Sequence, residues 1–331
     1  MAAALGVLVS CGSVKSGEEV VAASRDSKVV VAYVTSWSEV MPDPQYMTHI
    51  NYAFGHVNES FNGVKIDNEE RLRQIVDLRK QKPELKVLLS IGGWGSGRFS
   101  EMAANDEYRR AFAADCARVV KEFALDGIDI DWEYPTSSMA NISSSPDDTE
   151  NFTLLMQDIR AAIGNEKELT LATVASARYI DFKAILPSVD FVNIMAYDMA
   201  SAPKHHSALY PSGHSGDITS DGAVTAHLKA GVPPSKLVMG MPFYGRGGDG
   251  YPSFQDYNKV GNTDTQYTEK WDEVAQVPYL ADKNDTLVFG FENPRSLAIK
   301  CQYILDKDLL GGMYWDYSGD NEQGDLRRTV A

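Results

Sequence analysis

Hydrophobic positions along the chain fall into two alternating kinds of segment. Short runs rich in Val, Ile, Leu and Met have the length and composition of buried strands, over 28–37, 48–57, 86–95, 126–132, 169–176, 190–198, 236–246 and 311–319. Between them, over 68–81, 106–125, 147–164, 219–231 and 293–309, apolar residues recur every three or four positions, the period of an amphipathic helix. Such alternation predicts a parallel sheet covered by helices. Eight units closing on themselves predict a (β/α)₈ TIM barrel, one domain over residues 28–331. The first crossover is the weak unit, because "SEVMPDPQYM" is short and carries two prolines. The Gly-rich, polar stretch 247–270 reads as loop, and the helical pattern of 293–309 then leads into the last strand. No α/β domain is therefore expected between strands 7 and 8.

One strand breaks the apolar pattern. "LDGIDIDWEYP", Leu125 to Pro135, places Asp129, Asp131 and Glu133 on one face and Ile128, Ile130 and Trp132 on the other. Asp126 is out of phase with the acidic face and reads as a structural hydrogen-bond partner; Trp132 reads as packing against the helix layer. Three readings compete for the acids. A solvated amphipathic strand is one, but a central barrel strand has no solvated face. A calcium loop beginning at Asp129 needs Gly and Glu where Tyr134 and Ala140 stand, so that reading fails. The third is acid–base chemistry. Alternate strand residues lie ~6–7 Å apart at Cα, so these carboxylates cannot all ionise at neutral pH. The retained proton suits a general acid, and Glu133, nearest the barrel mouth, is the natural donor.

In barrels of this kind functional residues gather at the C-terminal ends of the strands. Those ends carry Tyr33, Phe54, Ser90 with Trp94, Tyr197 with Asp198, Tyr244 with Arg246, and Trp315. Together they describe a polar cleft walled by aromatic rings.

Charge and cysteine usage narrow the partners. Across 331 residues the net charge is −15, a field that repels nucleic acid and anionic membranes. Cys11, Cys116 and Cys301 make no disulfide framework. The first of them closes the apolar run "AAALGVLVSC" ahead of a polar tether, so residues 1–27 resemble a bacterial lipoprotein signal with Cys11 lipidated, though without the usual basic n-region. A secreted or envelope-tethered monomer is expected, with any membrane contact made through that anchor. His205, His206 and His214 share one loop but lack a matching acidic or Cys pattern, so no metal site is expected there.

The runs "DGIDIDWEYP", "SIGGWG", "MAYD", "MPFYGR" and "GGMYWDYSGD" resemble the signatures of glycoside hydrolase family 18, the chitinase-type enzymes, over residues 28 to about 326. The resemblance implies retaining, substrate-assisted hydrolysis of β-1,4 bonds beside N-acetylglucosamine, with no cofactor or metal. It implies that Glu133 is the proton donor, that Asp131 orients the substrate acetamide, that Asp129 shares a proton with Asp131, and that Tyr197 hydrogen-bonds the acetamide carbonyl. Tyr33, Phe54, Trp94, Met195 and Trp315 would floor and wall the reacting sugar, with Asp198, Tyr244 and Arg246 bonding its polar groups. Arg246 has a plainer reading as a structural ion-pair partner, and Trp37 is a candidate for a distal subsite. The expected enzyme is an endo-acting chitinase that binds chitin. The alternatives are an endo-β-N-acetylglucosaminidase acting on N-glycans and an inactive chitin-binding lectin.

Overall fold

The computed structural model describes residues 28–248, 250–260 and 266–331. Residues 1–27, with Cys11 and the expected lipid anchor, lie outside them. Eight strands run parallel in the closed order β1 (Val29–Thr35), β2 (His49–Val57), β4 (Lys86–Gly92), β5 (Gly127–Asp131), β6 (Glu168–Val174), β7 (Phe191–Met195), β8 (Leu237–Pro242) and β14 (Gly311–Trp315). Pairing of β1 with both β2 and β14 shuts the barrel. A short β3 (Val64–Ile66) folds back antiparallel on β2. The covering helices are α1 (Glu69–Val76), α2 (Phe99–Ala104), α3 (Asp106–Glu122), α4 (Asp148–Ile163), α5 (Phe182–Ile185), α6 (Ser220–Lys229), α7 (Pro294–Asp306) and α8 (Asp325–Val330). No helix among the described residues is long and apolar enough to cross a membrane.

Alternation along the strands divides the core in two. On β1, Val31 and Tyr33 face a cluster inside the barrel with Met195, Val238 and Met313, while Ala32 and Val34 join the larger cluster under the helices. Trp132 points to that outer layer, stacked on Phe99 of α2 at 5.3 Å and edge-on to Phe152 of α4. Asp126 does the structural work its phase suggested, pairing with Arg79 and accepting the Val87 N–H at 2.7 Å. The doubtful first crossover contains a three-residue 3-10 turn at Pro44–Tyr46 and no α-helix, as its prolines dictate.

Between β8 and α7 the described residues form no α-helix, so the barrel carries no inserted α/β domain. The stretch is nevertheless not all loop. Five short antiparallel strands, β9 (Tyr244–Gly247), β10 (Gln255–Asp256), β11 (Thr268–Asp272), β12 (Val277–Ala281) and β13 (Leu287–Gly290), pair in the order β10-β9-β13-β12-β11. The run 236–246, read as one strand, is two: β8 ends at Pro242, and the chain turns at Phe243 into β9.

Candidate active site

The acids rise through the middle of the barrel. Strand registers place Ser90 beside Asp129 and Asp129 beside Thr170, one layer across β4, β5 and β6. The Asp129 carboxylate is wholly buried. It accepts hydrogen bonds from Tyr33 Oη at 2.8 Å, Ser90 Oγ at 2.8 Å, Thr170 Oγ1 at 2.6 Å and Asn193 Nδ2 at 3.3 Å. Burial raises its pKa, and the four donors hold the rise in check.

Asp131, one layer higher, has a different environment. It is buried, and its Oδ1 has no hydrogen-bond partner. Burial first, then the charges of Glu133 and Asp129, push its pKa well above the ordinary carboxylate range. Glu133 follows at the mouth, just past the end of the strand, with its pKa lifted to about 7 mainly by burial and further by Asp198. Desolvation thus outweighs the crowding of like charges as the reason a proton stays in this cluster.

The close approach of β4 to β5 depends on the glycines of "SIGG". Gly92 has φ +134°, and a Cβ there would lie 1.9 Å from the Asp131 carbonyl oxygen. Gly93, at φ +93°, donates its N–H to that same oxygen at 2.9 Å and leaves room for the Phe54 ring.

Around the acids stand most of the expected rings. Phe54 stacks on Trp315 at 5.6 Å, and Trp37 lies 6.3 and 6.4 Å from the two. Trp37 and Trp94 are open to solvent, 64% and 62% exposed. Met195 and Tyr197 border the inner cluster, with the Tyr197 hydroxyl 3.9 Å from Met313 Sδ. Tyr33 differs from expectation: it is buried beneath the acids with its hydroxyl committed to Asp129, leaving it no open face as a cleft wall. Asp198 and Arg246 satisfy each other in a two-pronged ion pair, Nε to Oδ1 at 2.6 Å and Nη2 to Oδ2 at 2.7 Å. Burial opposes ionisation of Asp198, but Arg246 and His206 hold its pKa well below the ordinary range. The structural reading of Arg246 therefore holds in this geometry.

Sequence reasoning missed several neighbours. Tyr134, the residue after the acid, stacks on Tyr179 at 5.5 Å; its place in "DWEYP" was a usable signal. Phe254 stacks on Tyr244 at 4.7 Å, from inside the stretch read as loop. The histidines have acidic partners after all, His205 on Asp272 and His206 near Asp198. A separate cavity of about 1220 Å³ opens between the antiparallel sheet and the C-terminal turn, lined by Tyr257, Phe291, Tyr317 and Asp320. It contains none of the acids, so the buried carboxylates, and not the size of a hollow, mark the candidate centre.

The sequence pattern described as "Glycosyl hydrolases family 18" matches residues 29–320. Chitinase A1 of Niallia circulans is 30% identical over 409 aligned residues, covering 91% of this chain and 58% of its own length. Thus the chain spans little more than half of that relative. Among solved structures, a family 18 N-acetylglucosaminidase from Paenibacillus barengoltzii is 32% identical with a TM-score of 0.85, covering 92% of this chain and 99% of its own. A Group IV chitinase of Ostrinia furnacalis in complex with allosamidin is 29% identical, with a TM-score of 0.83 and coverage of 92% and 98%.

Proposed function

The chain belongs to glycosyl hydrolases family 18, and from that membership we propose that it hydrolyses β-1,4 bonds in chitin and chitooligosaccharides with retention at the anomeric carbon. One observation carries the reading: a buried carboxylate oxygen with no partner, Asp131 Oδ1, beside Glu133, whose burial raises its pKa to about 7 so that it holds its proton up to near neutrality. A buried acceptor left unpaired costs about 1–3 kcal/mol. An acetamide N–H of the substrate would supply the missing bond.

In this mechanism Glu133 gives its proton to the glycosidic oxygen as the bond to C1 breaks. The carbonyl oxygen of the substrate's own 2-acetamido group attacks C1, forming an oxazolinium ion. Asp131 accepts the acetamide N–H and offsets the positive charge that develops. Tyr197 bonds the acetamide carbonyl. Asp129, held by its four donors, lies beneath Asp131, shares a proton with it and lets it turn toward Glu133. Water then opens the oxazolinium with Glu133 as base. Phe54 and Trp315 floor the reacting sugar, Trp37 and Trp94 extend the surface, and Tyr244 and Met195 close its sides.

Turnover of a fluorogenic chitotrioside tests the assignment. Glu133→Gln should lower kcat at least 1000-fold while oligosaccharide binding persists; near-wild-type turnover would sink the mechanism. A second reading, release of terminal N-acetylglucosamine in place of mid-chain cleavage, is favoured by the likeness to the Paenibacillus N-acetylglucosaminidase over nearly all of that enzyme's length.

A further inference from the structure

Asp198 is the charged group beside the acid that the proposed chemistry leaves without a step of its own. It follows β7 in a left-handed conformation, φ +53°, uncommon for any residue but glycine. Its carboxylate raises the proton affinity of Glu133, so its position bears on the acid. Two things hold it. Arg246 grips the side chain, and Arg246 belongs to β9, paired with Gly290 of β13. Behind Asp198 the chain loops out and returns as His205-His206-Ser207, three consecutive buried residues.

Each of the three is fastened differently. His206 Nδ1 lies 3.4 Å from the Asp198 backbone N and 3.5 Å from Asp198 Oδ1, and its carbonyl accepts the Met199 N–H at 3.0 Å. Ser207 Oγ donates to Glu292 Oε1 at 2.6 Å, and its carbonyl accepts from Lys300 of α7, which also pairs with Glu292. His205 Nε2 meets Asp272 Oδ2 at 3.2 Å, at the end of β11. Asp272 is itself fixed, accepting from Ser212 Oγ at 2.8 Å and from the Val274 and Ala275 N–H groups, both at 2.9 Å. The other titratable groups facing this contact are His214 and Tyr279, whose rings pack on each other and on His205, and Glu292, whose charge acts on His205.

Both partners of the Asp198–Arg246 pair therefore depend on the antiparallel sheet: Arg246 as part of it, Asp198 through a buried tripeptide bolted to it. We infer that Asp272 is a positioning residue of the reaction, holding through His205 the loop behind Asp198 and so fixing the ion pair that faces Glu133. Burial strengthens the case, because breaking one side of a buried polar contact leaves the other without a partner and forces the loop to move. The contribution to catalysis rests on Glu133 being the acid of the proposed reaction; the geometry of the ion pair does not.

The test reads the pair first and turnover second. In protein labelled at arginine with ¹⁵N, the Arg246 Nε–H should exchange slowly with solvent in the wild type, and Asp198→Asn identifies its signal by abolishing the protection. Asp272→Ala should speed that exchange at least tenfold. His205→Ala, which cuts the same contact from its other end, should do the same and serves if Asp272→Ala does not fold. Unchanged exchange in either folded variant overturns the inference, whether or not the protein cleaves chitin. Turnover of the chitotrioside then tests the catalytic role: Asp272→Ala should lower kcat about tenfold with little change in KM. Added to Asp198→Asn, it should lower kcat no further. An equal further drop in the double variant would mean that Asp272 only stabilises the fold, and would overturn the positioning role.

Discussion

Glu133 sits where its charge is disfavoured, and the proposed reaction needs it to hold a proton, so site and task agree. Burial raises its pKa from 4.5 to about 7. A step that requires the protonated acid should fall as pH rises through about 7, so the alkaline limb of kcat against pH should lie there, and a limb two units higher would contradict the assignment. The same shift has a sign for stability. Between pH 4.5 and about 7 the unfolded chain loses this proton while the folded protein keeps it, so stability falls across that window. The penalty is complete above about pH 7, and a shift of this size corresponds to roughly 3 kcal/mol. Glu133→Gln removes it, so the variant should melt several degrees above the wild type at pH 8, with most of the difference gone at pH 5. Equal melting temperatures at pH 8 would show that Glu133 is not destabilised by its surroundings.

At the scale of elements, β4 and β5 show what fixes the acids in place. Gly92 and Gly93 end β4 with positive φ where the backbone of Asp131 passes close by. A methyl group at Gly92 would overlap a carbonyl oxygen and strain the backbone at once. Gly92→Ala should therefore cost at least about 3 kcal/mol, more than a typical point substitution, and displace Asp131; calorimetry showing a loss under 1 kcal/mol would refute this. Seven of the barrel strands were legible as apolar runs, and β5 with its acidic face was legible because period-2 alternation assigns faces without knowledge of the fold. The donors around Asp129 were not. Ser90, Thr170, Asn193 and Tyr33 come from four strands, and only barrel closure sets the registers that bring them together. The antiparallel sheet escaped for another reason. β10 has two residues, and "TEKWD" of β11 is polar and largely solvent-facing, so neither carries an apolar period. Its long-range anchors, Asp272 on His205 and Glu292 on Ser207, leave no trace in local sequence at all.

For the whole molecule, two indoles of the barrel mouth, Trp37 and Trp94, remain largely in water, and no inserted α/β domain stands beside them. We propose that such a mouth admits the middle of a sugar chain and cleaves it internally. Early products from long soluble chitin should span many lengths; single N-acetylglucosamine units from the first time point would favour terminal release instead. The exposed rings have an optical consequence as well. Of five tryptophans, Trp132 is buried under the helices, whereas Trp37 and Trp94 meet solvent. Acrylamide, being uncharged and so indifferent to the acidic surface, should quench the emission of these two most strongly. Chitotriose added to Glu133→Gln would shelter both indoles, shifting the spectrum to the blue and lowering the quenching constant. The groove thus contains its own reporter of occupancy, readable in an enzyme that no longer turns over; quenching unaltered at saturating sugar would place the ligand away from both rings.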